Sequence, residues 1–198
     1  MPKDKIALQG EDSFKAEMFK EFSDTIEDNA LYVATTGSDS NAGTIDKPFA
    51  TVQKALDTVK AGQTIYVRGG TYNALNSFKT SGSEGKYITL RNYPNETPFL
   101  TCTTGTNGAI LLLNGCNYIK IYGLEIGGHS AEQAYGILIN DCENHIIISN
   151  NHIHNLLTTK PGENENGEAN GILLFGEGKT DETSINNICI ENNNIHNN

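Results

Sequence analysis

Side chains that could do chemistry gather in the second half of the chain, several of them in one region. Asn140 and Phe175 each close an apolar run that begins with Gly-Ile, so they fall at one level of neighbouring repeats. With the first apolar residue of each run facing inward, both side chains point outward. There Phe175 could stack on the apolar face of a sugar; the plainer alternative is an ordinary outward residue beneath a loop. Asp141, Glu143 and Glu177 lie just beyond. Carboxylates stacked at about 5 Å would attract Ca²⁺, although like charges that close raise one another's pKa, and solvated turn acids are the plainer reading.

Lys160 and Lys179 are the lysines near this region. A lysine that takes a proton needs neighbouring positive charge or a dry pocket to lower its pKa. Lys160 instead precedes the acidic run Pro161-Gly-Glu-Asn-Glu-Asn166, so it is a candidate for touching substrate rather than for proton abstraction. His152, His154 and His196 show the i, i+2 spacing of metal ligands. His154 and His196, however, occupy equivalent places one repeat apart, which reads as a stack at a turn. Cys102, Cys116, Cys142 and Cys189 lack any C-x-x-C spacing, so buried thiols are expected rather than a zinc site.

The elements that must position these groups are written in the asparagines, 18 of whose 24 fall at or after Asn107. Three stretches repeat: Gly108 to Ile126, Gly136 to His154, and Gly171 to His196 with a polar insertion after Phe175. Laid on one another, Asn117, Asn144 and Asn186 coincide, each two residues before an Ile-x-Ile. Gly123, Asn150 and Asn192 coincide next, followed by Ile126, Ile153 and Ile195. Thr64-Ile-Tyr-Val67 and Tyr87-Ile-Thr-Leu90 hold the same register more weakly. Self-similarity at this period marks a stacked repeat, and alternating β-branched residues make its unit three short strands.

The expected fold is all-β, a right-handed parallel β-helix with an N-terminal capping helix and an extra N-terminal amphipathic helix. Each coil sets its Ile-x-Ile over the preceding one at about 4.8 Å. Asparagine tolerates left-handed backbone and suits the sharp turns, and Asn150 and Asn192 are the expected amide ladder there. Phe49, Val52, Leu56 and Val59 predict a helix over Lys47–Val59, started by Pro48, which would cover the open end of the stack. Phe14, Met18, Phe22 and Ile26 predict a second helix over Glu11–Glu27, laid on the same end or on a partner. Residues 1–29 are read as a helical extension and 30–198 as the β-helix domain.

Of the 198 residues, 37% are apolar and 19% charged, enough for a core and too few charges for disorder. Asp and Glu number 24 against 14 Lys and Arg, a net charge of −10, which argues against a nucleic-acid partner. No apolar run approaches the length of a membrane span, and Met1-Pro2-Lys3-Asp4-Lys5 leads into no secretory signal.

The segment Leu31-Tyr-Val-Ala-Thr-Thr-Gly-Ser-Asp-Ser-Asn-Ala-Gly-Thr-Ile-Asp-Lys-Pro-Phe-Ala-Thr-Val-Gln-Lys-Ala-Leu56, with Gly62-Gln-Thr-Ile-Tyr-Val-Arg-Gly-Gly-Thr-Tyr72, resembles the first coil of parallel β-helix proteins of the pectate lyase superfamily. The likeness is to family 9 polysaccharide lyases and runs from about Leu31 onward. It implies an extracellular or cell-surface protein that cleaves uronic-acid polymers by β-elimination. A lysine would remove the proton alpha to the carboxylate, and Ca²⁺ held by aspartates would bind that carboxylate, bridging an anionic protein and an acidic polysaccharide. By the same resemblance the loops Gly127–Ala134 and Leu156–Asn170 would wall the substrate groove.

The sequence departs from that pattern in one respect. No Asp-Asp-x-x-Asp group is present, so no catalytic residue carries over by motif. Because the sequence ends at Ile195-His-Asn-Asn198, just after a repeat strand, the expectation is the N-terminal portion of a longer solenoid, or an end covered by another chain. Two other functions stay open: a non-catalytic carbohydrate-binding or adhesive solenoid, and a structural role such as that of phage tail spikes, where β-helices form homo-oligomers.

Overall fold

Short alternating runs punctuated by Gly and Asn cannot bury both of their faces alone, so they stack. A computed structural model describes residues 25–142, 144–161, 167–176 and 186–198. Its strands fall into three parallel sheets. The first holds β1 (Leu31–Val33), β2 (Thr64–Val67), β5 (Ile88–Asn92), β8 (Ile119–Tyr122), β11 (Asn144–Ser149) and β14 (Asn186–Glu191), in that spatial order. The second holds β3 (Gly70–Asn73), β6 (Pro98–Thr101), β9 (Glu125–Ala131), β12 (His152–Thr158) and β15 (Asn194–His196). The third holds β4 (Asn76–Phe78), β7 (Gly108–Asn114), β10 (Gln133–Asn140) and β13 (Glu168–Phe175). The chain passes from first to second to third sheet and back, one coil per circuit, which is a parallel β-helix.

The expected register is the observed one. Leu31, Ile65, Leu90, Ile121, Ile148 and Ile190 form one continuous column, and Ile88, Ile119, Ile146 and Ile188 another. Leu100, Ile126, Ile153 and Ile195 stack on the second sheet, and Leu111, Ile137 and Ile172 on the third. Ile121, Ile148, Ile126 and Ile153 are fully buried. Each such side chain contributes about 1.5–3 kcal/mol through removal from water. All four cysteines are buried free thiols, and burial pushes Cys142 up to about 11, so it is not a nucleophile at neutral pH.

The amide ladder sits one residue later than expected. Asn150 and Asn192 take the left-handed turn, with φ of 56° and 54°, and their side chains are exposed. The next residues point inward instead. Asn151 accepts from Leu124 N–H at 3.0 Å and donates to the Ile121 and Ser149 carbonyls at 3.2 and 3.1 Å. Its amide also donates to Asn193 Oδ1 at 3.0 Å, and Asn193 donates to Ile148 O at 2.9 Å. The left-handed residue swings its own side chain out and turns the following one into the corner, where backbone groups would otherwise be orphaned.

The capping helix, α1, spans Val52–Thr58, shorter than the expected Lys47–Val59. Pro48 does not start it. Phe49 is drawn into a parallel bridge with Val33, and Thr51 is the N-cap, accepting from Lys54 N–H at 3.1 Å. Asp39 holds that corner by accepting from the Ala50 and Thr51 amides at 2.9 and 3.0 Å. Val52, Ala55 and Leu56 are buried under the helix. Gln53 protects the free edge of β4, accepting from Ser77 N–H at 2.7 Å and donating to Ser77 O at 3.1 Å, as a neighbouring strand would.

Most of the expected helix Glu11–Glu27 lies outside the described residues. Its last residues, 25–27, are described and are not helical: they and the turn after them lie on the outer side of β2, where side chains of that strand take up their backbone and carboxylate groups. Tyr66 donates to Thr25 O at 3.4 Å, Thr64 to the Glu27 carboxylate at 2.7 Å, and Gln63 to Asn29 O at 2.8 Å.

Candidate functional site

The outer face of the third sheet carries the row that the sequence singles out. Ile137 and Ile139 face the core, so Leu138 and Asn140 face outward. Asn140 lies in register with Asn114 on one side and Phe175 on the other. Its amide donates to Asn114 Oδ1 at 2.9 Å, and the Phe175 side chain is 51% exposed. Amide, amide and aromatic ring thus repeat at the inter-strand spacing, with Leu112, Leu138 and Leu173 half-buried beside them. The row can offer hydrogen bonds and a flat apolar surface. It holds no acid or base.

Lys160 is not part of it. Between β9 and β10 the corner from second to third sheet is tighter than the expected loop. Gly127–Ala134 is almost wholly strand, because β9 runs to Ala131 and β10 begins at Gln133. Leu156–Asn170 is strand at both ends, since β12 reaches Thr158 and β13 begins at Glu168. Polar side chains in those runs disguised strands as loops. At this corner Lys160 Nζ pairs with Glu132 Oε1 at 2.9 Å, and Glu132 O accepts from Thr158 Oγ1 and Glu168 N–H at 3.0 and 2.9 Å. Tyr135 donates to Glu168 Oε2 at 2.9 Å; burial, then this carboxylate, pushes the phenol up to about 12. Gln133 pairs with Glu168 at one end of β10, and Asn140 with Phe175 at the other. At roughly 3.3 Å per residue the corner and the aromatic row stand about 23 Å apart.

Of the three candidate calcium ligands only Asp141 is described. It occupies a left-handed turn with φ of 50°, and its N–H donates to Phe175 O at 3.1 Å. Glu143, Glu177 and also Lys179 lie outside the described residues.

The cluster of metal-ligating side chains among the described residues is elsewhere, on the outer face of the second sheet. Glu125, His152 and His154 bring one ligand atom each within 4.8 Å of one another. His154 Nε2 lies 3.0 Å from Glu125 Oε1, and His152 Nε2 lies 2.9 Å from His196 Nε2. The Phe99 ring lies parallel to His154, with centroids 5.9 Å apart at 4°. The expected His154–His196 stack is present, at 5.6 Å and 10°, but on strands β12 and β15 rather than at a turn. Sequence reading missed Glu125 and Phe99, although the alignment of Ile126 with Ile153 already sets Glu125 under His152. It also missed His129, which is fully buried with Nδ1 2.9 Å from Cys102 O and Nε2 3.1 Å from Gly108 O, tying β9 to the chain entering β7.

Comparison with known proteins agrees with this architecture. The chain is 37% identical over 145 residues to the uncharacterized protein YwoF of Bacillus subtilis strain 168, covering 69% of this chain and 31% of that one. It is 30% identical over 162 residues to pectate lyase PEL9 of Emericella nidulans, covering 74% and 36%. It therefore spans about a third of the length of these curated relatives. The crystal structure of pectate lyase Pel9A superposes with a TM-score of 0.52 at 19% identity, over 72% of this chain and 38% of that one, a likeness of fold. A family model described as the Pel9A-like, right-handed β-helix region matches residues 31–198, so the chain belongs to the Pel9A-like right-handed β-helix family.

Proposed function

We propose that the chain is part of an extracellular, polysaccharide-active β-helix protein that acts on uronic-acid polymers in a lyase-like way, and that its own share is substrate binding. The observation that carries the reading is the outward row Asn114, Asn140, Phe175, an exposed amide, a part-buried amide and an exposed aromatic ring across three adjacent strands of the third sheet. A polymer lying along the stack meets one such group per coil. Family membership and the likeness to pectate lyase PEL9 support uronic-acid polymers as the substrate class.

The ion pair of Lys160 with Glu132 favours binding without catalysis within this stretch. A lysine paired to a carboxylate and 37% exposed is not a base for abstracting a carbon-bound proton. With a net charge of −10, a bridging cation such as Ca²⁺ would aid contact with an acidic chain. The test is to mix the chain with polygalacturonate, with and without Ca²⁺, following retention of the protein by the polymer and the ultraviolet absorbance of unsaturated uronide. Retention without product is the expected result. Product would assign catalysis to this stretch, and no retention under either condition would overturn the reading.

A further inference from the structure

A second outward constellation has the chemistry of a different ligand. β12 places His152 and His154 two residues apart, so both imidazoles leave the same face of the strand. Their ring centroids are 4.4 Å apart. Register then adds a carboxylate from one side and an imidazole from the other: Glu125 of β9 pairs with His152, and His196 of β15 pairs with His154. We infer that Glu125, His152, His154 and His196 form a binding site for a borderline divalent transition metal of the zinc class.

Three observations carry this. The first is spacing. Donors around a zinc ion bound at about 2.0–2.1 Å lie roughly 3.3 Å from one another in a tetrahedron. Here His154 Nε2 and Glu125 Oε1 are 3.0 Å apart, and the two Nε2 atoms of His152 and His196 are 2.9 Å apart. Within each pair the adjustment is a few tenths of an ångström. Between the pairs, the Glu125, His152 and His154 donors lie within 4.8 Å of one another and close in by side-chain rotation on the sheet surface, with His196 swinging in as the fourth. The second is donor type. Nε2 faces Nε2, so one neutral ring must donate to the other; with a metal bound, the donor ring carries its proton on Nδ1 and both Nε2 lone pairs face the ion. Imidazoles with one carboxylate select zinc, nickel or copper, whereas Ca²⁺ and Mg²⁺ require oxygen. The third is preorganisation. Phe99 lies flat against His154, and the ligands stand on paired strands, so the ring plane is set before any ion arrives.

The site is separate from the third-sheet row and needs no polysaccharide. The test uses the whole chain, stripped with a chelator and titrated with Zn²⁺ by calorimetry and with Co²⁺ by visible absorption. One ion per chain and an intense Co²⁺ spectrum of low coordination number are expected. His152→Ala and His154→Ala should each weaken binding by more than the roughly 10–100-fold that loss of an outer-sphere partner costs. Glu125→Gln should weaken it less, and His145→Asn, on the first sheet, should leave it unchanged. Urea unfolding of the metal-free variants verifies that each is folded. Absence of saturable binding would overturn the inference. So would affinity undiminished in the His152→Ala, His154→Ala double variant, or Ca²⁺ competing as well as Zn²⁺. None of these outcomes depends on whether polygalacturonate is retained, so this site and the binding row stand or fall separately.

Discussion

On the third sheet the outward row runs Asn114, Asn140, Phe175, while on the second it runs Phe99, Glu125, His152, flanked by His154 and His196. Both rows rest on the same parallel ladder and the same stacked isoleucines. They differ in what lies beneath each ligand-facing residue. Asn140 meets another asparagine and an aromatic ring, so its row is neutral and extended. His152 meets a carboxylate on one strand and reaches a histidine on the next, so its row converges on a point. A coil repeat therefore fixes where side chains stand, and the residue one coil away decides whether they make a strip for a polymer or a pocket for an ion.

The shared scaffold is most sensitive at the turn that leads into His152. Asn151→Ala removes an amide that satisfies three backbone groups and one side chain in a buried corner. Unpaired buried groups cost about 1–3 kcal/mol each, so a loss of about 4 kcal/mol is expected by urea unfolding. Asn150→Ala, one residue earlier and exposed, costs only the left-handed strain of about 1–2 kcal/mol. Equal losses from the two would mean that the ladder does not set the register of β12. Because Asn151 directly precedes the histidine strand, a partly folded Asn151→Ala chain should lose zinc before it loses polygalacturonate.

Gly127→Ala comes next and tests the second sheet alone. Gly127 faces His154 in register, and an added Cβ would fall 2.0 Å from the His154 carbonyl oxygen. Backbone must move to admit it, at a cost of about 2–3 kcal/mol by the usual penalty for overpacking. Thermal unfolding should show that loss together with weaker zinc binding. A neutral Gly127→Ala with full zinc affinity would break the claim that β9 and β12 are held rigidly at this level.

How far the sequence reveals these two faces differs for a physical reason. The Ile-x-Ile columns, and the coincidence of Asn117, Asn144 and Asn186, are one-dimensional signals, and stacking reproduces them rung for rung. Asn140 and Phe175 share a rung for the same reason. The ladder lies one residue beyond its expected place because Asn150-Asn151 and Asn192-Asn193 are doublets, and composition does not say which member turns outward. Pro48 fits a helix start in the sequence, yet α1 begins later because the Phe49 backbone pairs with Val33. The histidine cluster is harder to see because its members are unlike one another: the aligned repeats carry Glu125 and His152 at one position, and Phe99 lies a coil further back, outside the three repeats. Only register brings Glu125 and Phe99 under His152 and His154.

Alkaline titration probes the start of the third sheet by a smaller effect. Tyr135 on β10 holds its proton to about 12 in the folded state, against about 10 when unfolded. Between those values the native state binds more protons than the unfolded state, so stability is full below pH 10 and falls as pH rises toward 12. Tyr135→Phe removes this dependence at a cost of about 1.5 kcal/mol at neutral pH, from the lost bond to Glu168. Urea unfolding at pH 9 and 11 should therefore show a smaller alkaline loss for Tyr135→Phe than for the unaltered chain. An identical loss would mean that the Tyr135–Glu168 contact does not hold the start of the third sheet.

Phe175→Ala should barely change stability and should change function most. The side chain is 51% exposed, so its removal exposes little that was dry, and the unfolding free energy should shift by less than about 0.5 kcal/mol. If the ring stacks on sugar, retention by polygalacturonate should fall several-fold while zinc affinity stays as it was. His152→Ala should do the reverse, sparing polysaccharide retention and abolishing the ion. That crossed pair of outcomes is the strictest test of two independent faces. A Phe175→Ala chain that still binds the polymer fully would show that the amides of Asn114 and Asn140 suffice, and would leave the aromatic ring an ordinary outward residue.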